Sequence, residues 1–412
     1  MKKLLKDNKT FEVIFIAGIL LLFSVWIGYI CVEGTDSRQF ETFFFSTGDF
    51  LADATNVTGY SSQKDVYHNT MYTGLGEKAY PPLSYLISYL FSRTVDMTPY
   101  WQNSYFVNMY QNTHFMIIYM IFLIATMVIL YQTLCRCKEG SEVIRSLAAF
   151  AVILSAPLMY SVERGNFIIH TLICTLVYLR YYDDKTVWKR ELALMCLAIA
   201  TSFKMTPAVL GIFLIYDKKW KEIAHVIVYG IIFGLLPFLF FKGGFANIAT
   251  MFQNMKLNLD TYNSSEGCTL YASFLNMGLS GSEAVQTAFK YITYVICLFF
   301  VITAPMLKGK WQRWLSILLV LLIAPSHSGQ YCILYLIPAM ISFLNEKEHA
   351  YAEYIILIAF LLIMNPLQGS AWTKLNYHFS IIVLVIYMLV LSAVTVFQVI
   401  RAKTAGNLRT AE

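Results

Sequence analysis

Two carboxylates, Asp49 and Asp53, stand four residues apart in "STGDFLADATNV". That spacing puts both on one face of a helix begun by Ser46 or Thr47 as its cap. Like charges so placed repel and raise one pKa, so a compensating group is expected close by. Four more ionisable residues occupy short polar turns between apolar runs: Glu163 and Arg164 in "ERGN", Lys204 in "SFKMTP" and His327 in "PSHSGQY". A charge held at bilayer depth costs about 3 kcal/mol or more, which makes each of them a functional candidate by default. Plainer roles compete: solvated surface acids for the Asp pair, a self-neutralising pair closing a turn for Glu163 and Arg164, a polar turn residue for His327. Lys204 has no acidic neighbour within its own hairpin. Its partner must come from elsewhere, and a bound anion is one candidate, because lysine is a compact charge suited to phosphate.

The elements that must position these residues are membrane helices. Of the 412 residues, 58% are hydrophobic and 14% charged, against about 25% charged in soluble proteins. Apolar runs near the length of a bilayer crossing recur along almost the whole chain, leaving no room for a soluble domain of ordinary size. A single integral membrane domain, 1–412, is expected. Its first apolar run, "VIFIAGILLLFSVWIGYIC", is followed by no small-x-small cleavage site and reads as an uncleaved span. The eight cysteines fall mostly within predicted helices, where they pack as small apolar residues. The "CRC" at Cys135 has no third ligand beside it, so no metal site is expected. The net charge of +6 is carried by residues flanking spans, not by a stripe, which argues against a nucleic-acid partner.

Placing spans by hydropathy puts basic clusters around Lys3, Arg136, Lys189, Lys219, Lys310, Lys347 and Arg401 on one side, about 21 of the 31 Lys and Arg. The positive-inside rule makes that side cytoplasmic, with both termini inside. Residues 32–112 then form a long extracytoplasmic loop containing structure, including "YPPLSYLISYLF", where a proline starts a helix too short to span. From Glu191 to Asp217 the chain has about 27 residues between basic clusters, roughly 40 Å of helix against about 60 Å for two crossings. That segment must go partway out and return, with Lys204 at its turn. Trp314 to Asn345 is similarly short, and Ser146 to Tyr182 only marginally long enough. Three polar turns are thus predicted to be recessed and to floor an outward-facing cavity, since non-helical backbone at depth must be buried or line a wet space.

The order "GDF", "YPPL", "ERGN", "SFKMTP", "PSHSGQY" resembles the polyprenyl-phosphate-dependent glycosyltransferases of the GT-C type, and especially glycosyltransferase family 87. The likeness runs from about Ser46 to Tyr331. It implies an all-α GT-C-like bundle of about 10–12 transmembrane helices. The implied enzyme moves a mannose-like or pentose-like sugar from a polyprenyl-phosphate donor to an extracytoplasmic glycan or glycolipid, in a cell membrane, expected to be a bacterial plasma membrane. On that pattern Asp49 matches the acid proposed as base. "RGN" stands where the family usually has "RGQ", and Lys204 and Pro207 match a K-x-x-P element. Ala52 and Asp53 replace an aromatic position, so either Asp49 or Asp53 is a candidate catalytic carboxylate. Arg164, Lys204 and His327 are expected to hold the donor phosphate. Tyr80, Glu163, Asn166 and Tyr331, in the same motifs, are expected to line the substrate. Single displacement with one carboxylate inverts the anomeric centre, and a monophosphate donor needs no metal or other cofactor. A transporter or flippase for a lipid-linked or anionic solute is the competing reading, though no paired halves with matching broken helices are visible.

Overall fold

The computed structural model describes residues 8–34, 43, 50–69, 74–101, 106–261, 267–278, 281–325, 329–367 and 371–409, and among them the chain is helical with no strand. The chain starts with α1 (Asn8–Glu33). The connection after it contributes α2 (Ala52–Ser61) and α3 (Pro82–Ser92) before α4 (Thr113–Cys137). Next come α5 (Glu142–Ile153), α6 (Ala156–Arg164), α7 (Ile168–Tyr181) and α8 (Val187–Phe203), the last followed by a 3-10 segment, Thr206–Gly211, and a helical turn, Ile212–Tyr216. α9 (Trp220–Gly230) runs on through a π-turn to Phe240, and α10 (Asn247–Thr261) packs on the Leu75–Glu77 turn of the long connection. After a short helix, Leu270–Asn276, come α11 (Glu283–Thr303), α12 (Lys310–Ile323), α13 (Ile337–Leu344), α14 (Tyr354–Met364) and α15 (Ala371–Arg409).

The chain is a polytopic membrane protein. Among the described residues five helices are long and apolar enough to cross a bilayer, six if α5 and α6, bent by 57°, count as one span. The expected ten to twelve is reached only by adding the shorter helices. Pro157 accounts for the bend: it has no N–H to bond to the carbonyl of Ile153, where α5 stops. Asn112, Ser141 and Ser282 cap α4, α5 and α11 by accepting backbone N–H bonds from Phe115, Ile144 and Val285.

Two of the hairpins expected to be short are so. α8, at 17 residues, is about 25 Å long and α12, at 14, about 21 Å, both under the ~30 Å of a hydrocarbon core. Their limbs return to a common base. Lys219, after Ile212–Tyr216, donates to the Tyr182 carbonyl and the Asp183 carboxylate at the end of α7. Trp311 at the start of α12 meets Phe343 near the end of α13 edge to face, 5.1 Å between ring centres. From Trp314 to Ile323 every residue of α12 is buried, as expected of a helix apolar on all faces and packed at the centre of a bundle. As predicted, α3 begins at a proline, Pro82, where the absent N–H leaves no bond unmade.

Candidate active site

Helices that stop short of the full span leave carbonyls without intrahelical partners, and here the long connection satisfies them. α8 ends at Phe203 because Pro207 cannot donate to the Phe203 carbonyl. That carbonyl accepts the Ser84 hydroxyl of α3 instead, at 3.1 Å. α6 ends at Gly165, whose φ of +66° turns the chain, and the carbonyl of Glu163 accepts the Leu51 N–H at 2.6 Å. The fit is tight: a Cβ on Gly165 would lie 2.5 Å from the Tyr119 hydroxyl and 2.6 Å from Ala54 Cβ of α2. Two of the polar turns are therefore clamped by α2 and α3.

This clamp places Asp53, in the first turn of α2, against the "ERGN" turn. Arg164 grips its carboxylate with both arms of the guanidinium, Nη2 to Oδ1 at 2.8 Å and Nε to Oδ2 at 3.2 Å. The Asn166 amide donates to Oδ2 as well, while its own Oδ1 accepts the Ile168 N–H that opens α7. Both charged side chains are largely buried, 15% and 19% exposed. Burial pushes the Asp53 carboxyl up, but the Arg164 charge and hydrogen bonds, the Lys204 charge and the Asn166 amide together hold it below the ordinary carboxylate value.

Lys204, at the second turn, points its ammonium at two aromatic faces, 5.3 Å from the Tyr80 ring centre and 4.7 Å from that of Tyr331. Tyr331 lies nearly parallel to Tyr160, ring centres 6.4 Å apart, and Tyr160 faces the Arg164 guanidinium at 5.8 Å. Thr206 and Tyr335 share a hydrogen bond of 2.9 Å, which joins the second turn to the segment after the third. Among the described residues Lys204 makes no ion pair within 4 Å. The result is a wall of Tyr80, Tyr160 and Tyr331 carrying two cations, one paired with Asp53 and one, among the described residues, without a counter-charge in direct contact. Such a wall suits an anion whose charge is spread over several oxygens.

The structure thus brings Asp53, Tyr80, Arg164, Asn166, Lys204 and Tyr331 together from five separated stretches of chain. Glu163 is buried beneath the same turn. Asp49 and His327 lie outside the described residues. Two expectations change. Leu51, at φ +53°, turns the chain so that the helix carrying Asp53 starts only at Ala52, not at Ser46 or Thr47. Arg164 pairs with Asp53, not with adjacent Glu163, because consecutive helical residues point away from each other. Sequence reasoning missed Tyr160, although its i, i+4 spacing to Arg164 was a usable signal, and Ser84, for which no sequence signal existed.

Residues 79–326, most of the span holding these turns, match the family model described as glycosyltransferase family 87. Tyr80, Glu163, Arg164, Asn166 and Lys204 fall inside that stretch; Asp49, Asp53, His327 and Tyr331 flank it. No curated protein matches the chain.

Proposed function

This chain belongs to glycosyltransferase family 87, and from that membership and the site's chemistry we propose that it transfers a mannose-like or pentose-like sugar from a polyprenyl-phosphate donor to an extracytoplasmic glycan or glycolipid. That it is a membrane glycosyltransferase follows from the family and the helices alone. The finer reading draws its support from one observation: Lys204 and the Asp53-bound Arg164 converge on a tyrosine wall where a lipid phosphate would sit.

In the proposed reaction the oxygen of an acceptor hydroxyl attacks the anomeric carbon. The bond from that carbon to the phosphate oxygen breaks, and polyprenyl phosphate leaves carrying the electron pair. Lys204 and Arg164, with His327, stabilise the charge that gathers on the leaving phosphate. The hydroxyl proton passes to Asp49, whose carboxyl type is ionised at neutral pH. Asp53 is the weaker candidate for base, because both its oxygens already accept hydrogen bonds from Arg164 and Asn166. It orients Arg164 instead. Tyr80, Asn166 and Tyr331 border the sugar and phosphate, with Glu163 supporting the turn from below. One displacement inverts the anomeric configuration.

The test is transfer of radiolabelled sugar from synthetic polyprenyl-phosphate mannose and polyprenyl-phosphate arabinofuranose by the purified protein in liposomes. Labelled glycan made by the wild type and lost in Asp49→Asn is the expected result. Wild-type rates in Asp49→Asn remove that residue from the scheme. Counterflow of the intact donor across the liposome, with no transfer, replaces the enzyme reading with the transporter.

A further inference from the structure

A second constellation of charges lies far from the tyrosine wall and plays no part in the proposed transfer. α7 leads away from Asn166 for about 20 Å and ends beside a cavity of about 140 Å³, set between the C-terminal ends of α4 and α7, the start of α12 and α13. Two cations, Arg180 and Lys310, and two carboxylates, Glu139 and Glu346, line it. Their pairing with one another is loose, limited to one long ion pair. Arg180 Nη1 is 4.0 Å from Glu139 Oε1, longer than a hydrogen bond, and among the described residues Lys310 has no ion-pair partner within 4 Å. The Lys310 ammonium rests on the Trp314 indole instead, 4.6 Å from the ring centre.

Charges of both signs around one opening favour a ligand that also carries both. A simple anion placed between Arg180 and Lys310 meets Glu139 and Glu346 as well, and a simple cation has the converse difficulty. A phosphate joined to a primary ammonium matches all four: the guanidinium fork and the lysine take the phosphate oxygens, and the three N–H donors of the ammonium serve the carboxylates. The cavity is also placed for a lipid. It opens at the end of the bundle that carries the basic clusters of Arg136, Lys189 and Lys219, where headgroups meet protein, and Pro338 and Ile341 supply an apolar side.

We propose that this cavity binds a phosphoethanolamine group, the headgroup of an aminophospholipid, at the end of the bundle opposite the transfer site. The full-length protein, delipidated in detergent, is incubated with equimolar phosphatidylethanolamine, phosphatidylglycerol and phosphatidylcholine, and the retained lipid is counted by native mass spectrometry. Wild type is expected to keep phosphatidylethanolamine at least fivefold over the other two. Phosphatidylglycerol lacks the ammonium, and phosphatidylcholine has no N–H to give the carboxylates. Lys310→Met and Glu346→Gln are each expected to abolish the preference. Two variants on different elements, checked by size exclusion, guard against a fold defect in either. Millimolar free phosphoethanolamine separates the sources: bound lipid that resists it assigns the headgroup of a lipid, and lipid displaced by it, in wild type only, assigns the soluble compound. Equal retention of the three lipids, or a preference that survives both substitutions, overturns the proposal.

Discussion

Asp53 and Lys204 occupy one site, yet their replacement should read out differently. Lys204 has aromatic neighbours and no ion pair among the described residues, so Lys204→Met removes a charge while breaking none of the ion pairs described there. Transfer should fall by about 100-fold or more, the usual loss when one donor to a developing negative charge is deleted, with the apparent melting temperature in detergent nearly unchanged. Asp53→Asn breaks a largely buried bidentate pair, a change that costs about 3 kcal/mol. Its melting temperature should drop along with its rate. The sign of the pH dependence follows from the lowered pKa of Asp53. A folded-state value below the unfolded one means the pair's contribution is fully present above the ordinary value of 3.8 and is lost as pH falls through the lower folded value. The gap in melting temperature between wild type and Asp53→Asn should therefore stay constant from about pH 5 to 8 and close only below about pH 4. A gap that narrows near neutrality would show that another group sets it.

The elements of the site are positioned by helix ends that were made to stop early. Pro207 ends α8 and Gly165 ends α6, and each exposed carbonyl is taken up by the connection that carries α2 and α3. Stopping a helix inside a bundle thus creates both the turn and the docking point for the piece that covers it. Gly165→Ala tests this coupling. The substitution forces a side chain into a left-handed backbone and into contact with Tyr119 and Ala54, at a cost of roughly 1–3 kcal/mol. α2 should be pushed off the turn, so transfer is expected to fall at least tenfold although Gly165 carries no chemistry. Protease sensitivity of the 50–69 segment, measured by limited digestion in detergent, should rise in parallel; unchanged digestion would separate α2 from the turn.

For the whole molecule, the tyrosine wall and the basic clusters lie at opposite ends of the same short helices: Asn166 precedes α7 and Arg180 lies near its end, while Lys189 lies near the start of α8 and Lys204 follows its end. The proposed orientation, with the basic clusters inside, puts the proposed transfer site outside. In intact cells, with Cys31 replaced, a membrane-impermeant maleimide should label a cysteine placed at Gly74, and should label one placed at Thr186 only after permeabilisation. The reverse pattern would turn the molecule over and move the proposed acceptor to the cytoplasm.

By itself the sequence determined the membrane class, two of the short hairpins, the proline start of α3 and the residue types at the polar turns. These rest on composition, helix length against bilayer thickness and proline chemistry, all local quantities that survive without knowing what packs on what. It also carried a motif order that pointed to the family. Only the tertiary structure decided the pairings. Arg164 could have answered Glu163 next to it, but helical geometry turns the two apart and a residue 111 positions earlier takes the bond. The tyrosine wall, the Ser84 bond to Phe203 and the four-charge cavity are likewise contacts between segments distant along the chain. Local pattern names such groups as polar or aromatic, and only packing says which of them meet.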